Sequence, residues 1–259
     1  MNTQIMWSAA AYTDIGLCRK RNEDALVFDP EHSLFAVSDG MGGLPYGGET
    51  AQIVASMMKA LFENESLQAQ NLTDYMVRAR YGIETISNAI RKRGNSDEDT
   101  PLHGATLSGF SVFMDHAVVF NVGDSRVYRL RHGATALEQI TKDHSMVQAL
   151  IDSGELTPEE AASFENRSTI TRFMGMGPAA QVDITAVPLE AGDRFLVCTD
   201  GLHGTVEEEV LFRILAQSNT AEELCAEMIK AANVCGGRDN ISAVVWVSEP
   251  QPERTHSNL

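Results

Sequence analysis

Basic residues are scarce in this chain. Only 20 of its 259 residues are Lys or Arg, against 36 Asp and Glu, which gives a formal net charge of -16. Such a field repels phosphate backbones and anionic lipid, so neither nucleic acid nor a membrane surface is the expected partner. Long hydrophobic runs are missing as well: nothing approaches the roughly 18 consecutive apolar residues of a membrane helix. Residues 1–11 lack the basic start and apolar stretch of a targeting segment, and a cytoplasmic protein is expected. Cysteine is sparse. Cys18, Cys198, Cys225 and Cys235 stand far apart with no C-x-x-C pair, which argues against zinc-binding cysteines and a disulfide framework and leaves reduced thiols, mostly in the core. The seven histidines show no i,i+4 ligand pair. There is no G-x-S-x-G elbow and no G-x-x-x-x-G-K-[ST] loop, which excludes an elbow-type serine hydrolase and a P-loop nucleotide enzyme.

What is present is enough to build a core. Hydrophobic residues make up 43% of the chain, which suits a globular protein rather than a disordered one. Short runs rich in Val, Phe and Ile read as strands at 25–29, 34–38, 107–114, 117–122, 126–131, 182–187, 195–199 and 241–247. Several are joined by turns too tight for a crossover helix, so mostly antiparallel pairing is expected. Helical spacing over 49–63 and 72–93 predicts one helix pair. Thr205-Val206-Glu207-Glu208 and Thr220-Ala221-Glu222-Glu223 have the form of capping boxes and should open a second pair. A polar insertion of about thirty-five residues, 142–177, contains a helix from His144 and a third box at Thr157. With no internal linker or repeat, residues 1–248 read as one domain. The polar tail 249–259, with two prolines, is expected to be disordered.

The aspartates carry the functional signal. Asp39 and Asp200 each end a strand and enter a Gly turn, Asp124 follows a strand in Gly-Asp-Ser-Arg, and Asp239 precedes one in Gly-Gly-Arg-Asp-Asn. A lone Asp-Gly is an ordinary turn, but four strand-end acids sharing this arrangement point to a site for several cations. Gathered carboxylates repel one another unless cations neutralise them. An all-oxygen donor set favours magnesium, manganese or calcium over zinc or copper. Hydrolysis of a phosphate ester is a natural use of two such ions.

Six segments, in order, carry a family resemblance: Gly16-Leu17-Cys18-Arg19-Lys20-Arg21-Asn22-Glu23-Asp24, Ser38-Asp39-Gly40-Met41-Gly42-Gly43, Gly104-Ala105-Thr106-Leu107, Asn121-Val122-Gly123-Asp124-Ser125-Arg126, Thr199-Asp200-Gly201-Leu202 and Arg238-Asp239-Asn240-Ile241. Together they resemble the motif series of the metal-dependent (PPM, or type 2C) serine/threonine protein phosphatases, most of all the compact bacterial members. The resemblance implies an α+β fold: a central β-sandwich of two mostly antiparallel sheets with a helix pair on each outer face, four layers αββα, and 142–177 as a flap beside the site.

It also implies roles. Asp39 would bridge two ions, Mn2+ or Mg2+, and the Gly40 carbonyl would hold the second. Asp200 and Asp239 would complete the first, Asp124 with Asp200 a third, weaker site, and Glu23 would touch the second ion. Asp24, Thr106 and Asn240 would support these ligands from behind. Arg19 would grip the substrate phosphate, where a guanidinium can make two parallel hydrogen bonds. A hydroxide bridging the two ions would then hydrolyse phosphoserine and phosphothreonine in cytoplasmic proteins, opposing a serine/threonine kinase, in a monomeric enzyme. The other implied reading is a catalytically silent module of the same fold that binds metal or a phosphoprotein. Met41 stands where many eukaryotic relatives carry His, a candidate general acid, and a thioether has no proton to donate. Arg172, near the end of the flap, would be a second phosphate contact or a structural ion pair.

Overall fold

The computed structural model describes residues 5–41, 46–64, 67–94, 104–161, 164, 169–176 and 181–249. Gly42 and Gly43 of the second motif, parts of the flap and the expected disordered tail from 250 onward lie outside the described residues.

Ten strands form two antiparallel five-stranded sheets. One runs β1 (Trp7–Asp14), β10 (Ile241–Ser248), β9 (Arg194–Cys198), β6 (Arg126–Leu130), β7 (Glu138–Gln139); the other runs β2 (Asp24–Asp29), β3 (Leu34–Asp39), β4 (Leu107–Phe113), β5 (His116–Val122), β8 (Asp183–Pro188). Phe35, Phe110, Phe195, Trp246, Val127 and Val244 fill the space between them, fully buried. The rings meet at offset and edge-on angles, Phe110 and Phe195 at 4.8 Å and Trp7 and Phe35 at 5.3 Å between centroids, the arrangements their quadrupoles favour. This apolar middle layer explains why the strands of both sheets read as near-continuous hydrophobic runs.

Helices α1 (Gly47–Glu63) and α2 (Leu72–Gly94) cover the β2–β8 sheet, burying Val54, Met58, Ile83 and Ile86. The other sheet is covered by α5 (Asp200–His203), α6 (Glu208–Leu215) and α7 (Ala221–Val234), through Leu211, Leu215, Leu224 and Met228. The four-layer αββα architecture is therefore present. The flap contributes α3 (Met146–Ser153) and α4 (Pro158–Ala161), and Met174 returns the chain to the body by bridging Ala105.

Several local expectations need correction. Strand β1 carries no strand signal in the sequence: its core face is largely alanine, a weak strand former, and its place comes from full-length pairing with β10, Trp7 opposite Ser248 through Asp14 opposite Ile241. The two-residue β7 is equally silent in sequence. Thr220 does form a capping box with Glu223, and Thr157 forms one with Glu160, but Thr205 does not. The Thr205 N–H is already bonded to the Leu202 carbonyl at the end of α5, and buried Val206 pulls the chain inward, so α6 starts beyond Glu207 without a side-chain cap. Helix α3 begins at Met146, capped by the Ser145 hydroxyl, and leaves His144 outside it. Cys198 and Cys225 are buried, whereas Cys18 and Cys235 are exposed, so only half of the thiols belong to the core.

Candidate metal centre

The acids converge at one end of the sandwich because strands from both sheets finish there. Asp24 and Asp39 are cross-strand partners in the β2–β3 pair. Asp124 lies in the β5–β6 turn after Gly123, which has φ 118°, a conformation glycine adopts at little cost. Asp200 follows β9 as the first residue of α5, and Asp239 precedes β10.

Asp24 sits deepest. Its Oδ2 accepts hydrogen bonds from the Thr199 hydroxyl at 2.9 Å and the Ser242 hydroxyl at 2.7 Å, which ties β2 of one sheet to β9 and β10 of the other. Its Oδ1 is buried without a partner, as is Oδ1 of Asp200. Orphaned buried carboxylate oxygens are costly unless something positive meets them. Asp39 and Asp200 lie within hydrogen-bonding reach of each other.

Electrostatics report the same crowding. Burial, opposed by its two hydroxyl donors and reinforced by Asp200 and Asp239, pushes Asp24 up to about 7. Burial, with repulsion from Asp200 and Asp143, pushes Asp124 to about 7. Burial holds Asp39 well above the usual carboxylate range, with Asp24, Asp200 and Asp124 adding to it. Asp200 is raised by burial and by Asp239. Each is what a carboxylate does when desolvated beside others of its kind.

The supporting frame is dense. The Thr106 hydroxyl accepts the Asp39 N–H at 2.9 Å and meets the Ser125 hydroxyl at 2.7 Å, linking the Asp39 and Asp124 turns. The Asn240 side chain accepts the Glu23 N–H at 2.8 Å and donates to the carbonyls of Ile15 and Arg21 at 3.0 and 2.9 Å. It thereby holds the Arg19–Glu23 loop against the Asp239 turn. Gly40 donates to the Glu23 carbonyl at 3.1 Å, and a Cβ there would lie 2.4 Å from the Gly47 backbone, so the start of α1 is pressed onto the site. Gly48 packs in turn on Glu23.

Arg19 is the cation of the cluster. Its half-exposed guanidinium donates to Asp239 Oδ2 at 2.6 Å, and its pKa is raised first by that bond and then by the charges of Asp239, Asp39 and Glu23. Arg19, with Arg126 near Asp124 but already bound to Asp143, cannot neutralise six acids. The donor set, all hard oxygen with two orphaned buried atoms, fits divalent ions such as Mg2+ or Mn2+. Among the described residues no three of these acids bring ligand oxygens within 4.8 Å of one another. They do not close a single cage of three oxygens.

Two residues here, His203 and Asp143, carry no signal in the sequence, and a third, His144, stands out there only as the histidine that opens the flap. His203, on α5, lies with Nε2 3.0 Å from the Asp124 carbonyl, and burial, with Arg126 nearby, lowers it to about 3. It is a neutral donor that steadies the Asp124 turn. Buried His144 accepts the Gly123 N–H at Nδ1, 3.1 Å, so its proton is on Nε2, 3.0 Å from Asp183 Oδ2. Asp143 clamps Arg126 through both carboxylate oxygens, at 2.7 to 3.1 Å. A single His or Asp in a polar loop carries no periodicity that would announce such a contact. Arg172 donates to Asp183 at 3.1 Å, which makes it an ion-pair residue at the base of the flap.

The family model described as Protein phosphatase 2C matches residues 19–242. The serine/threonine protein phosphatase PstP of Mycobacterium tuberculosis is 34% identical over 236 residues, 91% of this chain and 44% of the relative. This chain thus spans less than half of that protein's length. Serine/threonine phosphatase stp of Listeria monocytogenes is 31% identical, covering 90% of this chain and 92% of the relative. Among solved structures, the catalytic domain of PstP in complex with two manganese ions superposes with a TM-score of 0.78 at 32% identity, covering 94% of this chain and 98% of that one.

Proposed function

The chain belongs to the protein phosphatase 2C family, and from that premise we propose that it removes phosphate from phosphoserine and phosphothreonine side chains of proteins. The observation that carries this reading is the convergence of Asp39, Asp124, Asp200 and Asp239 beside Arg19, with buried carboxylate oxygens of Asp24 and Asp200 left without hydrogen-bond partners.

Asp39, Asp200, Asp239 and the Gly40 carbonyl would hold two divalent ions, with Glu23 contributing to the second and Asp124 with Asp200 holding a weaker third. When bound, such ions supply Lewis-acid activation of water and offset the negative charge that builds on the phosphoryl oxygens. Arg19, presented to solvent on its loop, captures the phosphate dianion. To do so it exchanges part of its bond to Asp239 for a bidentate contact, which leaves Asp239 free for a cation. Thr106, Asn240 and the hydroxyls of Thr199 and Ser242 keep the acids in place, so little reorganisation is needed during reaction. His203 holds the Asp124 carbonyl without adding charge.

Manganese is the preferred cofactor in this reading, since a related catalytic domain is described with two manganese ions. A serine/threonine kinase that writes the same phosphates is the natural counterpart, and the enzyme would act as a cytoplasmic monomer built on one domain. A silent binding module would have no use for a complete set of cation-binding acids together with a phosphate-gripping arginine. Phosphate release from phosphoserine, phosphothreonine and phosphotyrosine peptides in Mn2+ tests the proposal. Turnover confined to the first two supports it, and turnover of none, or of phosphotyrosine best, overturns it.

A further inference from the structure

A second cluster of metal-binding groups lies at the opposite end of the β2–β3 hairpin. Asp24 and Asp39 mark the catalytic end of that pair, whereas Asp29 and Leu34 mark the other, five residues or about 17 Å away. There Asp29 Oδ1 accepts the His32 N–H at 3.2 Å, and Oδ2 lies 2.8 Å from the ring Nδ1. Glu63, the last residue of α1, reaches the same spot: one oxygen of Asp29, one ring nitrogen of His32 and one oxygen of Glu63 lie within 4.8 Å of one another. Among the described residues neither carboxylate pairs with a Lys or Arg. Two of the three, His32 and Glu63, also line an open cavity of about 330 Å3 with Phe62, Leu67 and Tyr75, which leaves room beside an ion.

We propose that Asp29, His32 and Glu63 bind a divalent ion of the zinc class, separate from the ions of the phosphatase centre. The donor chemistry sets the preference. One imidazole nitrogen with two carboxylate oxygens suits Zn2+, Co2+ or Ni2+, and three protein ligands with an open fourth position are common for zinc. The catalytic acids offer no nitrogen and suit Mg2+ or Mn2+. The consequence is mechanical. The ion would fasten the β2–β3 turn to the C-terminal end of α1, the helix whose N-terminal Gly47 and Gly48 press on Gly40 and Glu23.

Isothermal titration with Zn2+ in saturating Mg2+ tests this, using the full chain with Asp39→Asn and Asp239→Asn to disable the catalytic acids. One zinc per chain is expected, with affinity at least tenfold weaker in His32→Ala and in Glu63→Gln added to that background. The His32 ring is solvent-accessible, and circular dichroism is the check that each variant folds. Absence of zinc binding in the double variant overturns the site. So does unchanged affinity after His32→Ala, and so does unchanged affinity after Glu63→Gln, which would remove the helix from the ligand set.

Discussion

Chelation should leave a protein whose stability falls as the pH rises from 6.5 to 8. In metal-free protein Asp24 and Asp124 hold protons up to about pH 7, whereas in the unfolded chain aspartate ionises near pH 4. Their folded-state pKa values are raised, so over this window the folded state binds more protons than the unfolded one, and stability declines as those protons leave. For a group at about 7 the loss between pH 6.5 and 8 is on the order of 1 kcal/mol, and the two together lose about 1–2 kcal/mol. Asp39 adds in the same direction. A chain of this size shifts by roughly 2–4 °C per kcal/mol, which predicts a fall in Tm of a few degrees. Divalent ions act oppositely, since they bind the ionised acids: an ion at a hundred times its Kd adds about 2.7 kcal/mol. Differential scanning fluorimetry across the window, with EDTA and with Mn2+, reads both effects. The gap between the curves should widen with pH. A Tm in EDTA that is flat or rises between pH 6.5 and 8 would refute the description of the acids as a mutually repelling buried cluster. His203 acts the other way: lowered to about 3 in the fold and near 6.5 when unfolded, it adds about half a kcal/mol of stability between pH 6.5 and 8, which offsets part of the decline without reversing it.

Other expectations follow from particular contacts. Gly201→Ala would place a Cβ 1.9 Å from the Asn240 carbonyl, forcing the Asp200 and Asp239 turns apart; a loss of about 2–3 kcal/mol in urea unfolding is expected together with reduced manganese affinity. His203→Ala removes the donor to the Asp124 carbonyl and should cost about 1–3 kcal/mol by the same assay while leaving KM near the wild-type value. Arg19→Ala should raise KM for a phosphopeptide at least tenfold with a smaller change in kcat, and Arg19→Lys should recover only part of the loss, because an ammonium cannot make the paired contact.

The layered plan of the fold and the gathering of strand-end acids at one end of it are both legible in sequence; finer features are not. A short run such as Leu34 to Ser38 followed by Asp-Gly announces a carboxylate at a strand end, because the apolar stretch and the turn are both local. Helices α1, α2 and α7 are legible for the same reason, through 3–4 spacing and, for α7, the Thr220–Glu223 box. Strand β1 is not. Its alanines pack against the sandwich without advertising a strand, and only β10, more than two hundred residues away, defines it. The Thr205 box fails because its backbone donor is already taken by the end of α5, a tertiary fact that a four-residue pattern cannot hold. His203, His144 and Asp143 are likewise defined by partners far along the chain or across a turn. Asp24 is visible as an acid in a motif, but its place as the link between the two sheets depends on Thr199 and Ser242 arriving from β9 and β10.

The most direct test of the proposed cation-dependent phosphatase centre is hydrolysis of a phosphothreonine peptide by EDTA-stripped protein, before and after Mn2+ is restored, with Asp239→Asn measured in parallel. The account predicts no turnover in EDTA, recovery with Mn2+, and a loss of at least a hundredfold in the variant on the scale of removing one charged transition-state stabiliser. Turnover that persists in EDTA, or an Asp239→Asn protein as active as the wild type in Mn2+, would contradict it.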